Sequence, residues 1–257
     1  MAKLAIQGIT KRFGGLVAND DVTVQVEKGE RFAVIGPNGA GKTTLFNMIA
    51  GTFPPSEGKV MFDGAAISGR PVAQIAQAGL VRTYQLVQLF KALTVAENVM
   101  VGFHRVTTGG VFSALLRPPA MRRQEREIAA KTAEILDFVG LSHRANVTAD
   151  LLPYGEQRLL EVARALAASP KLLLLDEPAA GLNTEETAEL ARVVRKVNEN
   201  GVTIMLIEHD MGLVMQIAHR IAVLDYGRKI AEGTPDEIRV HPDVIAAYLG
   251  GTEGYDD

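Results

Sequence analysis

The 257-residue chain contains no cysteine. That absence excludes a disulfide framework, a Cys-ligated metal and a Cys nucleophile, and it is compatible with a reducing compartment without proving one. Neither sign of charge dominates: 27 basic against 30 acidic residues leave a net charge of −3, with no long basic tract. A nucleic acid gains nothing from that balance, so no nucleic-acid partner is expected. The opening Met-Ala-Lys-Leu-Ala-Ile-Gln lacks the apolar run of a secretory signal. No stretch approaches the roughly 18 apolar residues of a membrane span. The expectation is a soluble chain, with any membrane role coming through a partner. Internal repeats and low-complexity tracts are also missing, so whatever machinery the chain carries is present once.

What is present is a hydrophobic content of 47%, enough for one large α/β domain with a sizeable core. The stretch Gly36-Pro-Asn-Gly-Ala-Gly-Lys-Thr-Thr44 fits G-x-x-x-x-G-K-[ST], with Gly36, Gly41, Lys42 and Thr43 at the fixed places and Gly39 as an extra glycine. Arg31 to Ile35 before it reads as a buried strand, and Leu45 to Ala50 after it as a helix ending at Gly51. Glycines let the backbone curl past Pro37 so that successive N–H groups of Asn38, Gly39, Ala40 and their neighbours point inward, and the helix N-terminus adds partial positive charge. Lys42 then reaches the β- and γ-phosphates of a triphosphate, and the Thr43 hydroxyl is placed to ligate Mg²⁺.

Along the chain, alternating residues predict half-buried antiparallel strands over 3–10 and 22–27, joined by a polar turn over 11–17 that carries Phe13. Further elements are expected at 59–62 (strand), 71–78 (helix opened by Pro) and 80–85 (strand delivering Gln85). The next eighty or so residues read as an inserted helical subdomain. It contains a helix over 94–104 behind a Thr94-x-x-Glu97 capping box, a loop over 107–119 and an amphipathic helix over 121–139. A helix over 155–168 follows. Leu172-Leu-Leu-Leu-Asp-Glu177 is a continuous apolar strand with two carboxylates at its carboxyl end, where ligands bind in open parallel sheets. A strand over 202–207 ends in Glu208-His209-Asp210 after a helix over 185–198, and two short strands and two small helices finish the chain. In P-loop enzymes an acid placed like Asp176 holds Mg²⁺ opposite the loop Ser/Thr, and Glu177 beside it can align the attacking water. His209 can donate to the γ-phosphate as it gains charge.

With these pieces in order, the chain resembles, over nearly its whole length, the ATPase subunits of ATP-binding cassette (ABC) transporters. The resemblance rests on Phe13 as the adenine-stacking aromatic, Gly36 to Thr43 as Walker A and Gln85 as the Q-loop glutamine. It continues through Leu152-Pro-Tyr-Gly-Glu-Gln157 as signature segment, Leu172 to Asp176 as Walker B, Glu177 as catalytic carboxylate and His209 as switch histidine. It implies an α/β P-loop NTPase fold: a RecA-like core with an N-terminal antiparallel β subdomain over 1–85 and 166–257, and an inserted helical subdomain over 86–165. It implies ATP and Mg²⁺ as cofactors, with Thr43, Asp176 and Gln85 at the metal, and Lys42, Glu177, His209 and Gln85 as catalytic residues. Residues 36–44 with Phe13 would bind ATP in one subunit, and Tyr154, Gly155 and Glu156 would meet it in trans from another. Pro153 and Tyr154 depart from the family's Leu-Ser-Gly-Gly-Gln pattern, so the serine hydroxyl expected at the γ-phosphate is missing, and Asn183 stands where many relatives carry aspartate.

Arg12 to Gly15, Val81 to Gln85, the Phe112 to Pro119 insertion, Tyr154 to Arg158, Ile207 to Asp210 and Ala247 to Gly250 add a closer resemblance. Together they look like the longer of the two ATPase subunits in bacterial branched-chain amino acid importers. That resemblance implies two transmembrane permease subunits, a second paralogous ATPase or a homodimer, and indirectly a periplasmic solute-binding protein. It implies a peripheral place on the cytoplasmic face of the inner membrane, with residues 86–117 as the expected permease contact. Urea, short amide and lipopolysaccharide systems use similar subunits, and soluble cassette proteins act on DNA or ribosomes.

Overall fold

The computed structural model describes residues 2–83, 88–103 and 119–249. Its strands in chain order are β1 (Ala2–Phe13), β2 (Leu16–Glu27), β3 (Arg31–Ile35), β4 (Glu57–Phe62), β5 (Ala65–Ala66), β6 (Leu80–Arg82), β7 (Leu172–Asp176), β8 (Thr203–Ile207), β9 (Arg220–Asp225) and β10 (Arg228–Gly233). The helices are α1 (Lys42–Ile49), α2 (Val72–Ala78), α3 (Val95–Gly102), α4 (Pro119–Phe138), α5 (Tyr154–Ala167), α6 (Thr184–Glu199), α7 (Met211–Ile217), α8 (Pro235–Arg239) and α9 (Pro242–Leu249). Among the described residues no helix is long and apolar enough to cross a membrane. The chain divides by its contacts into two units: Met1–Gln85 with Lys171–Gly181 and Thr187–Asp257, and Leu86–Pro170 with Leu182–Glu186.

The first unit holds both sheets. One is antiparallel, in the order β2-β1-β4-β5. Leu4, Ile6, Ile9, Val22, Val24 and Val26 turn one face of it into the core, as the period of two predicts. The hairpin is longer than the alternation suggests: β1 runs on to Phe13, and β2 resumes at Leu16, opposite it. Register shifts between Ile6 and Ile9 and between Ile9 and Lys11, with Gly8 and Asp21 at positive φ, break the alternation while leaving the strands paired.

The other sheet has the order β10-β9-β3-β8-β7-β6, parallel except for the edge strand β10. Leu172 to Leu175, Phe32 to Ile35 and Ile204 to Ile207 are buried on both faces, which is why these strands read as unbroken apolar runs. Their charges are confined to the ends, with Arg31 opening β3 and Asp176 closing β7. The strand expected over 80–85 is seen over Leu80–Arg82, and residues 84–87, including Gln85, lie outside the described residues.

The second unit is helical, with α3 packed on α5 and both in contact with α4. The Thr94–Glu97 capping box forms as predicted: Thr94 Oγ accepts the Glu97 N–H and the Glu97 carboxylate accepts the Thr94 N–H. Asn98, fully buried, fixes the preceding loop by accepting the Phe90 N–H and donating to the carbonyls of Phe90, Leu93 and Thr94. Gly102 is required for the approach of α3 to α5, since a Cβ there would stand 2.3 Å from the Arg164 carbonyl oxygen. Residues 104–118, most of the expected loop and insertion, lie outside the described residues.

Back in the parallel sheet, one polar pair ties the edge strand to its neighbour. Arg82 Nη2 on β6 donates to Asp176 Oδ2 on β7 at 2.5 Å, Arg82 Nη1 reaches Asn47 Oδ1 at 2.7 Å, and both ion-pair side chains are buried. Removing one partner of such a pair strands a charge away from water. Arg82→Ala is therefore expected to destabilise the protein by about 3 kcal/mol, read as a lower urea midpoint with unchanged slope; an unshifted midpoint would show that Asp176 does not depend on the pair.

Candidate functional site

The nucleotide-type cradle begins where β3 ends. The chain curls through Gly36, Gly39 and Gly41, all at positive φ, and enters α1 at Lys42. Two of these glycines are forced from outside the loop. A Cβ on Gly36 would lie 2.0 Å from the Leu224 carbonyl oxygen, and one on Gly41 would lie 2.4 Å from that of Ala18. Neighbouring strands also bolt the loop down: Asn19 Nδ2 donates to the Gly41 oxygen at 3.3 Å, and the Gly227 N–H to the Ala40 oxygen at 3.2 Å.

A cavity of about 530 Å³ opens on this loop, walled by Asn38 to Thr44, by Leu16, Val17 and Ala18, and by Glu177, Tyr226 and Gly227. The structure thus brings Gly39, Ala40, Gly41, Lys42, Thr43, Thr44 and Glu177 together on one surface. Lys42 is buried, and its Nζ donates to the carbonyl oxygens of Gly36 and Pro37 at 2.8 and 2.9 Å. Burial holds its pKa below the ordinary lysine value of 10.5, opposed by the Glu177 carboxylate. An ammonium so placed, at the N-terminus of a helix entered through a glycine turn, is suited to phosphate oxygens.

Asp176, 3% exposed, ends β7 and is held by Arg82 as described. Arg82 escaped the sequence reading; its only signal there was a cation inside a short apolar strand. Glu177 follows at φ 44, a left-handed conformation that costs a non-glycine residue free energy. Its N–H reaches the Ile207 oxygen on β8 at 3.0 Å, and its own carbonyl accepts the Ala180 N–H at 3.1 Å. His209, after β8, is largely exposed, with Nδ1 3.8 Å from Glu177 Oε2. The sequence reading named both residues at strand ends, each with its own role and without a contact between them.

Glu208 gave no signal in the sequence between its neighbours. Its carboxylate is fully buried and accepts the N–H groups of Ala179, His209 and Asp210 at 2.7, 2.9 and 3.2 Å. Burial raises its pKa above the ordinary 4.5, while those N–H bonds and His209 pull the other way. Tyr226 was also missed: it stands exposed at positive φ in the turn between β9 and β10, on the cavity wall.

Phe13 is half exposed and packs edge-on against Phe53, ring centroids 5.5 Å apart, with Lys11 Nζ 5.1 Å from its ring. In the second unit Pro153 precedes α5 in an extended conformation, as an N-cap without a side-chain bond. Tyr154 lies under the Arg158 guanidinium, and Glu156 is ion-paired to Arg144 at 3.0 Å. Gly155 has no room for a Cβ, which would meet the Glu186 side chain at 2.7 Å. Asn183 forms a reciprocal cap on α6, in which its side chain accepts the Glu186 N–H and its own N–H reaches the Glu186 carboxylate.

Hard oxygen donors such as Thr43 and Asp176 suit Mg²⁺, which takes one or two protein groups and fills its shell with phosphate and water. Among the described residues no group of three or more His, Cys, Asp or Glu side chains could hold a metal by itself.

Residues 19–180 match the family profile described as ABC transporter, and residues 228–254 match one described as branched-chain amino acid ATP-binding cassette transporter. The chain is 48% identical to the high-affinity branched-chain amino acid transport ATP-binding protein BraF of Pseudomonas aeruginosa, over 96% of this chain and 97% of that one. It is 46% identical to the protein LivG of the same description from Escherichia coli K12, with the same coverage. Among solved structures, the ADP conformation of an ATP-binding cassette of an ABC transporter aligns with TM-score 0.86 and 33% identity, covering 97% of this chain and 99% of that one. A nucleotide-free cassette aligns with TM-score 0.84 and 32% identity, covering 96% and 99%. The chain belongs to the ATP-binding cassette ATPases of ABC transporters, in the branched-chain amino acid branch of that family.

Proposed function

We propose that this chain is the ATP-hydrolysing subunit that powers import of branched-chain amino acids through a membrane ABC transporter. The observation that carries the chemistry is the cavity on which Lys42, Thr43 and Glu177 meet, with His209 beside Glu177. The names of the relatives that align end to end support the cargo.

In this reading the N–H groups along residues 36–44, Pro37 excepted, and the Lys42 ammonium hold the β- and γ-phosphates. Nucleotide arrival gives Lys42 anionic partners in exchange for the carbonyls of Gly36 and Pro37. Thr43, Asp176 and Gln85 would hold Mg²⁺, which would supply charge neutralisation on the phosphate oxygens. Glu177 accepts a proton from, or aligns, the attacking water, and its fixed backbone keeps the carboxylate near the cavity. His209 donates toward the γ-phosphate as negative charge grows there. Phe13 stacks on the adenine, and Tyr154, Gly155 and Glu156 of a second subunit close the site. Without the serine hydroxyl, that trans contact relies on the Gly155 N–H and the N-terminus of α5. The chain works peripherally on the cytoplasmic face of the membrane with two permease subunits, a paralogous ATPase or a second copy, and indirectly a solute-binding protein.

The catalytic assignment predicts that Glu177→Gln binds ATP within about twofold of the parent while turnover falls at least about a hundredfold, measured by titration and by phosphate release. Normal turnover would remove Glu177 from the mechanism. The cargo assignment predicts that the tagged chain, drawn from membranes of its source cell, brings two permease subunits and a branched-chain amino acid binding protein. Permeases for another solute would leave the ATPase and discard the cargo.

A further inference from the structure

A fully buried carboxylate, with no arginine or lysine among its hydrogen-bond donors in the described residues, stands between the two residues assigned to hydrolysis. Glu208 follows β8 directly, and its own N–H points at the Val34 oxygen on β3 at 3.4 Å. Its Oε1 takes the N–H of Ala179, two residues beyond Glu177 on the neighbouring strand's exit. Its Oε2 takes the N–H groups of His209 and Asp210, and Asp210 goes on to cap α7 through the Leu213 N–H. One side chain therefore spans two turns: that of Glu177 to Ala180, held at the strained φ of Glu177, and that carrying His209. Ionised carboxylates accept such N–H groups most strongly, and a buried charge is kept only when it is fully hydrogen-bonded.

We propose that Glu208 is a positioning residue for ATP hydrolysis: its carboxylate clamps the turn after β7 to the turn after β8 and so fixes Glu177 and His209 relative to one another. It is fully buried and acts through those two residues; the inference rests on their assigned roles. The neutral isostere tests it most directly. In Glu208→Gln the side-chain shape persists, but the amide has one accepting oxygen, so either the Ala179 side or the His209 and Asp210 side faces an N–H₂ group and comes undone. A displacement of about 1 Å at reacting groups can cost up to about a hundredfold in rate.

The experiment is a kinetic cycle on the purified full-length chain: parent, Glu208→Gln, Glu208→Asp, His209→Ala and the Glu208→Gln/His209→Ala double variant, with Glu177→Gln as reference. Phosphate release gives kcat and KM, ATP titration gives the fraction of active molecules, and rates are taken per ATP-binding molecule. Glu208→Gln is expected to lower kcat about tenfold or more with KM within about twofold, and to add less than about twofold once His209 is gone, because coupled residues do not act additively. Glu208→Asp keeps the charge but is too short to reach both turns, so it is expected to show the same loss. It supplies the reading should the glutamine variant fail to fold. Parent-like kcat in the Glu208 variants, with Glu177→Gln inactive, overturns the clamp and leaves the site assignment standing. Losses that simply multiply with that of His209→Ala reduce Glu208 to a stability residue and also overturn it. Parent-like turnover in both Glu177→Gln and His209→Ala would instead bring down the site assignment itself.

Discussion

A strand buried on both faces has no place for a charge except at its ends, and the chemistry of this protein follows from that constraint. Leu172 to Leu175 and Thr203 to Ile207 run side by side through the middle of the parallel sheet with no exposed edge. Their first ionisable residues, Asp176 and Glu208, fall where the strands leave the core, on the same rim as the phosphate loop that follows β3. Parallel pairing in register puts those exits level, since Asp176 lies opposite Ile207. The sheet therefore collects carboxylates at one edge without any of them having to cross the hydrophobic layer.

Each charge at that rim is met in a different way. Asp176 has a guanidinium, Glu208 has three backbone N–H groups, and Lys42 has two backbone carbonyls and the field of Glu177. Glu177 lines the cavity, and His209 beside it is largely exposed. A rim whose buried charges already have partners is organised before ligand arrives, which is the condition for electrostatic catalysis without reorganisation.

Legibility in the sequence followed the range of the interaction. The phosphate loop was readable because its spacing is local, and the central strands because burial on both faces leaves an apolar run. The Thr94–Glu97 box was readable because a cap is settled within four residues. The hairpin of β1 and β2 was underestimated because register shifts destroy the period on which the reading relied. Arg82 was unreadable because its partner stands on another strand, and Glu208 was hidden because its partners are backbone N–H groups, which carry no residue identity. Asn183, a departure from the family pattern, is explained by a local cap that any short acceptor side chain can make.

The glycines of the phosphate loop have one more consequence. Gly36 and Gly41 are hemmed in by carbonyls of Leu224 and Ala18, which belong to β9 and β2 and not to the loop. The cradle is thus moulded from behind by two strands far away in the chain, one from each sheet. Transplanted alone into a foreign scaffold, the nine-residue motif would arrive without its mould; the unit of inheritance for this phosphate site is the loop together with the two strands that press on it.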